Sequence, residues 1–184
     1  VQAAAEELKA DLAVDVIIGN NKKQDLVPIL EEYFKDSTDS DHVIEIGQTN
    51  EYERLSIHKI ADHTRAFLKV QDGCNQFCSY CIIPYTRGRV RSRRPEEVVA
   101  EVKELAAAGY QEVVLTGIHL SSYGVDFKEE EKEDLLTLIQ QVHEVEGIRR
   151  IRLGSLEPRI ITEEFAQALA DMPKFCPHFH LSLQ

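Results

Sequence analysis

The sequence predicts an α/β fold: part of a barrel of parallel strands, preceded by the end of a smaller α/β domain. From residue 65 onward, short apolar strands alternate with one-faced helices, an order that requires parallel strands joined by right-handed crossovers. The dinucleotide-type glycine fingerprint is missing, which favours a barrel. Because active-site residues of such barrels follow the carboxyl ends of strands, we expect the chemistry in the loops after Val70, Leu115 and Leu153.

Residues 1–50 predict a helix, a strand and a second helix. Residues 3–12 favour a helix, and the apolar residues at 14 and 16–18 indicate a short strand that ends at Gly19. Leu26, Ile29, Leu30 and Tyr33 recur at helical spacing. Residues 36–41 (DSTDSD) indicate a solvated turn. We therefore expect residues 1–50 to end a first domain, 51–64 to be a linker and 65–184 to form the barrel.

The predicted barrel begins with a strand over residues 66–70. A helix is expected to begin at Pro95, whose missing amide hydrogen costs nothing in a first turn, and to end at Gly109. A strand at 113–115, a helix over 135–142 and a strand at 151–153 follow. Thr162 is a plausible cap for a third helix, and a last strand is expected near His178.

Composition narrows the class of protein. The chain has 184 residues, 32 acidic against 21 basic side chains and a net charge of -11. With 43% apolar and 29% charged residues it is typical of a globular protein and unlike a disordered tail or a coiled coil. No apolar run approaches the roughly 18 residues of a membrane span. Four cysteines are too few for a disulfide scaffold, which predicts a reducing, cytoplasmic location.

Three of the four cysteines form the most specific motif of the sequence. Cys74, Cys78 and Cys81 have the spacing Cys-x3-Cys-x2-Cys directly after the first predicted barrel strand. Thiolates converging on one centre select an iron–sulfur cluster, zinc or copper(I). Structural zinc requires four ligands, and a fourth is not obvious here. A 4Fe–4S cluster on three cysteines leaves one iron open for a cofactor. Chance clustering and structural zinc are the alternatives.

The cysteine loop resembles the signature of radical S-adenosylmethionine (SAM) enzymes, including the aromatic Tyr80 before the third cysteine. Four segments, covering about residues 67–184, resemble the bacterial tRNA methylthiotransferases: FLKVQDGCNQFCSYCIIPYTRGRVRSRRPEEV, VVLTGIHLSSYG, IRLGSLEPR and CPHFHLSLQ. LTGIHLSSYG and SLEPR are most similar to the enzymes that act on N6-threonylcarbamoyladenosine. Residues 1–60 are more weakly similar to the end of the family's amino-terminal domain.

This resemblance implies a radical SAM partial barrel with a 4Fe–4S cluster on Cys74, Cys78 and Cys81 and S-adenosyl-L-methionine as cofactor. The implied reaction adds a methylthio group to C2 of the modified adenosine next to the tRNA anticodon. An electron donor such as flavodoxin or ferredoxin is also implied. The family carries a second 4Fe–4S cluster on three cysteines that do not lie before Cys74, so we expect an internal fragment unable to complete turnover alone.

Other candidate residues follow from the same resemblance. Five are candidate cofactor contacts: Tyr80, Thr116, Gly117, Ser155 and Glu157. Simple strand-to-helix turns are the alternative for the last four, and His119 is expected to be a loop or packing residue. Separately, the basic run makes Arg87, Arg89, Arg91 and Arg93 candidates for RNA contact through phosphates, and the run could instead meet the cofactor carboxylate or be a solvated face. Cys176, His178 and His180 are expected to pack rather than bind metal.

Three other functions remain open at this stage. The substrate could be isopentenyladenosine in tRNA or an aspartate of a ribosomal protein. The loop Gly117-Ile118-His119-Leu120 argues against both, since the isopentenyladenosine enzyme is expected to have a Gly-Gln-Asn-Val type of loop. A zinc-stapled RNA-binding module without turnover is the non-enzymatic alternative.

Overall fold

The computed structural model describes residues 1–36, 41–53, 65–131 and 133–183. The chain divides into two compact units: Val1–Leu55 with Gly73–Arg89, and Ser56–Asp72 with Val90–Gln184. The cysteine loop thus belongs to the first unit, although it follows a strand of the second in the chain. Most of the predicted linker, and residues 37–40 of the predicted turn, lie outside the described residues. The expected domain bounds stay predictions.

The first unit contains the predicted helices and strand, together with two elements that the sequence did not indicate. Helix α1 is Ala5–Lys9, strand β1 is Ile17–Ile18 and helix α2 is Leu26–Asp36. The unpredicted elements are β2 (Asp41–His42), which pairs with β1 in parallel, and α3 (Ile83–Arg87). Both are too short to show a hydrophobic period, which explains why the sequence did not indicate them.

Residues 73–89 are tied to the first unit by polar contacts. Asn20 Nδ2 donates to the carbonyl of Thr86 at 2.5 Å. The backbone amide of Asn20 in turn donates to Gln2 Oε1 at 2.9 Å. Glu53, a buried carboxylate, accepts from the Lys23 amide and from Lys23 Nζ, and from the amide of Gln24 at 3.1 Å. These bonds satisfy buried groups, which would otherwise be costly to desolvate.

The second unit contains a four-stranded sheet in the order β4-β3-β5-β6. Its strands are β3 (Arg65–Asp72), β4 (Arg91–Ser92), β5 (Glu112–Gly117) and β6 (Arg150–Leu153). The parallel pairing of β3, β5 and β6 confirms the predicted α/β order.

The sheet contains one strand that the sequence did not predict, and one expectation about strands was wrong. The sheet is not wholly parallel, because β4 turns back to pair with Gln71 and Asp72 in antiparallel fashion. The strand expected near His178 is also missing from the described residues, where residues 175–181 make only two isolated bridges, from Phe175 to Ile151 and from Leu181 to Leu156. Between these bridges the His178 amide donates to the Cys176 carbonyl at 2.7 Å, so the chain makes a local turn instead of a ladder.

Three helices cover one face of the sheet. They are α4 (Pro95–Ala107), α5 (Leu135–His143) and α6 (Glu163–Ala170). Pro95 opens α4, and the Thr162 hydroxyl caps α6 by accepting from the Phe165 amide at 3.1 Å, as predicted. Alternate strand residues form the core with these helices, among them Leu68, Val70, Val113, Leu115 and Ile151. Among the described residues, no helix is both long and apolar enough to cross a membrane.

One buried carboxylate joins the amino ends of the three parallel strands. Glu112 of β5 lies in register between Arg65 of β3 and Arg150 of β6. Its oxygens lie 2.6 Å from Arg65 Nε, 2.7 Å from Arg150 Nε and 2.8 Å from Arg152 Nε. Burial pushes the pKa of Glu112 upward, but the hydrogen bonds from Arg150 and Arg152 and the charge of Arg65 outweigh burial and hold the pKa below its ordinary value.

Replacing Glu112 by Gln is expected to lower the free energy of unfolding by about 1–3 kcal/mol at neutral pH, because charge-assisted hydrogen bonds are lost while the arginines stay partly hydrated. A carboxylate whose pKa is lowered by folding stabilises the fold above its unfolded pKa, and that contribution disappears as pH falls through the folded value. The difference between the two proteins should therefore shrink below about pH 4.5.

Urea unfolding across pH measures this, with the exposed Glu164→Gln on α6 as control. Equal effects of the two substitutions at neutral pH would contradict the role given to Glu112.

Candidate functional site

The cysteine loop is closed at its base by two glycines. Gly73 has a φ of +72°, and a Cβ at this position would lie 1.9 Å from the Arg89 carbonyl oxygen. At the other end Gly88 has a φ of +77°. The Cys74 amide donates to the Gly88 carbonyl at 3.1 Å. Only glycine allows this close crossing, so the ends of the segment 73–89 are fixed before any ligand binds.

Within the loop, the donor set suits an iron–sulfur cluster. Cys74, Cys78 and Cys81 are not in disulfide bonds, and Cys74 is buried while the other two are half-buried. The Cys81 amide donates to the Cys78 carbonyl at 2.9 Å, which makes a tight turn between these two cysteines. Among the described residues, no three His, Cys, Asp or Glu side chains already stand as a metal-binding group. The donors thus fit by chemistry and loop closure, and binding requires their side chains to turn toward a common centre.

Three aromatic side chains lie on the same segment as the thiols. Tyr80, the candidate cofactor contact, is exposed. Phe77 has a left-handed φ of +48° and packs edge-on against Tyr85, with ring centroids 5.8 Å apart. The Arg89 guanidinium lies over the Phe77 ring, 4.4 Å from its centroid. We call Phe77, Tyr85 and Arg89 the aromatic–arginine cluster.

In the second unit, Gln71 organises the carboxyl end of β5. Its fully buried amide accepts from the His119 amide at 2.7 Å and donates to the Asp72 carbonyl at 2.8 Å. A register shift between Lys69 and Gln71 places Gln71 opposite Gly117, where an added Cβ would lie 2.8 Å from Gln71 Oε1. Sequence reasoning did not find Gln71, since a glutamine near the end of a strand has no distinctive spacing.

The predicted cofactor contacts at the strand ends make internal hydrogen bonds. The Thr116 hydroxyl donates to the Leu68 carbonyl at 3.2 Å. The Glu157 amide donates to Ser121 Oγ at 2.8 Å, which joins the loops after β5 and β6. Ser155 Oγ lies 2.6 Å from His180 Nδ1. The loops after β5 and β6 are therefore connected to each other, as expected for residues at neighbouring parallel strand ends.

His119 joins the same two loops. Its Nδ1 lies 2.6 Å from Ser122 Oγ and its Nε2 lies 3.3 Å from Glu157 Oε2. Glu157 also receives two hydrogen bonds from Arg159 Nη2, at 3.0 and 2.9 Å. These contacts fix the Glu157 carboxylate at the carboxyl end of the sheet. The expectation that His119 is a loop residue agrees with its place in this loop.

The arginine run does not form one surface. Arg91 is 1% exposed, with its Nη2 3.7 Å from Asp72 Oδ2. Arg93 Nη1 lies 2.6 Å from Glu101 Oε2. Both contact acidic partners in the second unit, whereas Arg87 is half-buried and Arg89 is exposed. The sequence could not distinguish the four arginines from one another, because their regular spacing does not show which side chains are buried beside an acidic partner.

The parallel α/β unit and the closed loop of three cysteines are typical of a cofactor-binding α/β protein of the barrel class. The family model described as the radical SAM superfamily matches residues 68–184. The chain therefore belongs to the radical SAM superfamily. Members of this family use SAM together with an iron–sulfur cluster, in agreement with the thiol loop.

Curated relatives align along the chain. The chain is 38% identical over 183 residues to a threonylcarbamoyladenosine tRNA methylthiotransferase of Bacillus subtilis, covering 100% of this chain and 40% of that protein. The protein of the same name in Aquifex aeolicus is 42% identical over 183 residues, with 100% and 44% covered. The chain thus spans less than half the length of these relatives.

Two further similarities complete the comparison. A tRNA-2-methylthio-N(6)-dimethylallyladenosine synthase of a Thermoanaerobacter species is 38% identical over 173 residues, covering 93% of this chain and 36% of that protein. A solved radical SAM methyltransferase of Kitasatospora setae is 22% identical with a TM-score of 0.49, covering 64% of this chain and 22% of that chain. This structural likeness supports no inference about ligands or activity.

Replacing Gly117 by Ala is expected to lower the free energy of unfolding by about 1–3 kcal/mol, because the new methyl group would overlap the Gln71 side chain in a packed interior. Gly154 is the matched control: it ends β6 in the same way, but a Cβ there would lie no closer than 3.5 Å to its neighbours. Gly154→Ala should change stability by less than about 0.5 kcal/mol. Thermal unfolding of both variants measures this, and equal losses would show that Gln71 does not restrict Gly117.

Proposed function

We propose that the chain is the cofactor-binding part of a tRNA methylthiotransferase that acts at C2 of N6-threonylcarbamoyladenosine, next to the anticodon. The observation that carries the proposal is the glycine-closed loop of three cysteines, none of them in a disulfide, in a radical SAM chain. The two relatives named for this reaction, aligned over the whole chain, support the choice of substrate.

Cys74, Cys78 and Cys81 would hold a 4Fe–4S cluster, which when bound and reduced would supply the electron for cleavage of SAM. The protein's own part is to keep the three thiols on one short loop. Gly73 and Gly88 do this by bringing the ends of the segment together. Such pre-formation leaves less chain to order when the ligand binds.

Five side chains or backbone positions are proposed to contact SAM: Tyr80, Thr116, Gly117, Ser155 and Glu157. The contacts of these residues suggest different roles. The Thr116 hydroxyl is already bonded to Leu68, so its backbone rather than its hydroxyl would serve the cofactor. The Glu157 carboxylate is oriented by Arg159 and His119, which suits it to accept hydrogen bonds from ribose hydroxyls.

The proposed substrate also defines the partners. The base lies in the single-stranded anticodon loop, where an unstacked adenosine can enter a protein pocket. An electron donor of the flavodoxin or ferredoxin type would reduce the cluster. A second 4Fe–4S cluster, concerned with sulfur, would lie elsewhere in the whole protein. The four free cysteines suit the reducing cytoplasm, where we propose that the protein acts.

A dimethylallyladenosine substrate is the second candidate, since a relative named for that reaction has similar identity. The wider coverage by the first group and the Gly117-Ile118-His119-Leu120 loop favour threonylcarbamoyladenosine. The ribosomal aspartate and the zinc-stapled RNA-binding module have less support. Zinc binding without turnover conflicts with the family's use of SAM.

After anaerobic reconstitution, replacing any one of Cys74, Cys78 or Cys81 by Ala is expected to lower iron and sulfide several-fold below about four of each per chain, because a cluster held by two thiolates is easily lost. Cys176→Ala is the control, since Cys176 belongs to the second unit and not to the loop segment. Full iron content in Cys78→Ala would overturn the ligand assignment, and zinc in place of iron would favour the zinc module.

The reaction is tested with the whole protein that contains this chain, reconstituted and incubated anaerobically with dithionite, SAM and hypomodified tRNA. Nucleoside mass analysis should detect 2-methylthio-N6-threonylcarbamoyladenosine. The 184-residue chain alone is expected to yield none, since it covers less than half of its relatives. Methylthiolation of isopentenyladenosine instead would identify the second candidate function. Product from the short chain would show that the sulfur-donating site had been misplaced.

A further inference from the structure

An exposed aromatic pair lies on the same segment as the cysteines and contributes little to the core. Tyr85 is 64% exposed and Phe77 39% exposed, although both are large apolar rings in a folded unit. Tyr85 lies on α3, a helix of five residues that buries only Pro84. Packing within the unit therefore does not account for the position of Tyr85.

The backbone and a cation hold Phe77 in a defined place. A left-handed φ of +48° is unfavourable for a residue with a side chain, and such strain is found mostly where surrounding contacts enforce it, often at functional sites. The two rings meet at 88°, so the Phe77 ring meets that of Tyr85 edge to face. Arg89 covers the Phe77 ring at 4.4 Å. The arrangement stiffens Tyr85 while leaving most of its ring accessible.

The charge around these rings differs from the rest of the chain. Residues 73–89 contain Arg87 and Arg89 and no Asp or Glu, whereas the whole chain carries a net charge of -11. Arg89 is exposed, so an anionic ligand can reach its guanidinium group from solvent. Flat aromatic faces beside arginines suit single-stranded nucleic acid, because bases stack on the rings while the guanidinium groups meet phosphates.

We propose that the aromatic–arginine cluster binds single-stranded RNA, with one unpaired base stacked on Tyr85 and Arg89 contacting a neighbouring phosphate. Phe77 is a positioning residue that keeps the Tyr85 ring in place. The proposal rests on the proposed function and deepens it, since it names the surface that receives the substrate loop. An acidic protein such as an electron donor would also be attracted by the arginines, but it would gain little from an exposed, stacking-competent ring.

The test measures binding of a fluorescent anticodon stem-loop to the whole protein by anisotropy over a series of salt concentrations. Tyr85→Ala is expected to weaken binding about 5- to 100-fold, as for loss of one stacked base. Tyr85→Phe should bind within about twofold of wild type, because the ring remains. Tyr85→Leu fills the same site without a π face and should be nearly as weak as Tyr85→Ala.

Phe34 provides the matched control. It is 80% exposed in the same unit and packs edge-on against Tyr33 at 5.7 Å, but it lies between the acidic residues of the sequence EEYFKD. Phe34→Ala should leave RNA binding unchanged. Arg89→Ala should reduce the slope of log affinity against log salt by about 0.7, one phosphate contact, whereas Tyr85→Leu should leave the slope unchanged because stacking releases no ions.

Wild-type affinity in Tyr85→Leu would overturn the stacking role, and a weak Tyr85→Ala alone would then reflect folding. Loss of electron-donor binding in both Tyr85→Leu and Arg89→Ala, with RNA binding intact, would identify a protein partner instead. Tyr85-dependent RNA binding without any methylthiolated product would support the surface and contradict the proposed reaction, so the two proposals fail separately.

Discussion

The buried Glu112 carboxylate, shared among Arg65, Arg150 and Arg152, sets the register of the three parallel strands on which the site depends. A slip of one residue would turn every side chain of a strand to the opposite face, exposing the core and burying charge. Glu112 opposes such a slip because its partners lie on both neighbouring strands and the carboxylate is taken out of water. Because this contact aligns the strands at their amino ends, their carboxyl ends are aligned as well.

The two ends of the sheet are built from different chemistry. At the amino end, ion pairs between Glu112 and its arginine partners hold the strands together without a cofactor. At the carboxyl end, Gln71 clamps the turn after β5 through neutral hydrogen bonds, and Gly117 gives the room for it. Beside it, Ser121 and His119 connect the next loop through Glu157. Because the sheet is stabilised at its amino end, the loops at its carboxyl end are available for binding.

Loop closure plays the corresponding role in the first unit. The three thiols lie on a segment whose ends are fixed by Gly73 and Gly88, and whose body is connected to the unit through Asn20 and Thr86. The same closure orders α3, and with it the exposed ring of Tyr85. Cluster ligation and contact with RNA would then depend on one short segment, which explains its concentration of cysteines, aromatics and arginines in an acidic chain.

The sequence by itself determined the features that depend on local chemistry. Hydrophobic period and end signals located the main strands and helices, including the start of α4 at Pro95 and the Thr162 cap, and cysteine spacing located the candidate cluster loop. Only the tertiary structure decided what depends on partners distant in the chain. Arg91 is buried beside Asp72, and β4 pairs in antiparallel fashion with β3. The strand expected at His178 is replaced by isolated bridges, and Gln71 accepts a hydrogen bond from the turn after β5. Periodicity in the sequence shows which face of a helix or strand is apolar. Ion pairs, pairing at a sheet edge and hydrogen bonds of buried amides depend on residues that are distant in the chain and become neighbours only in the folded protein.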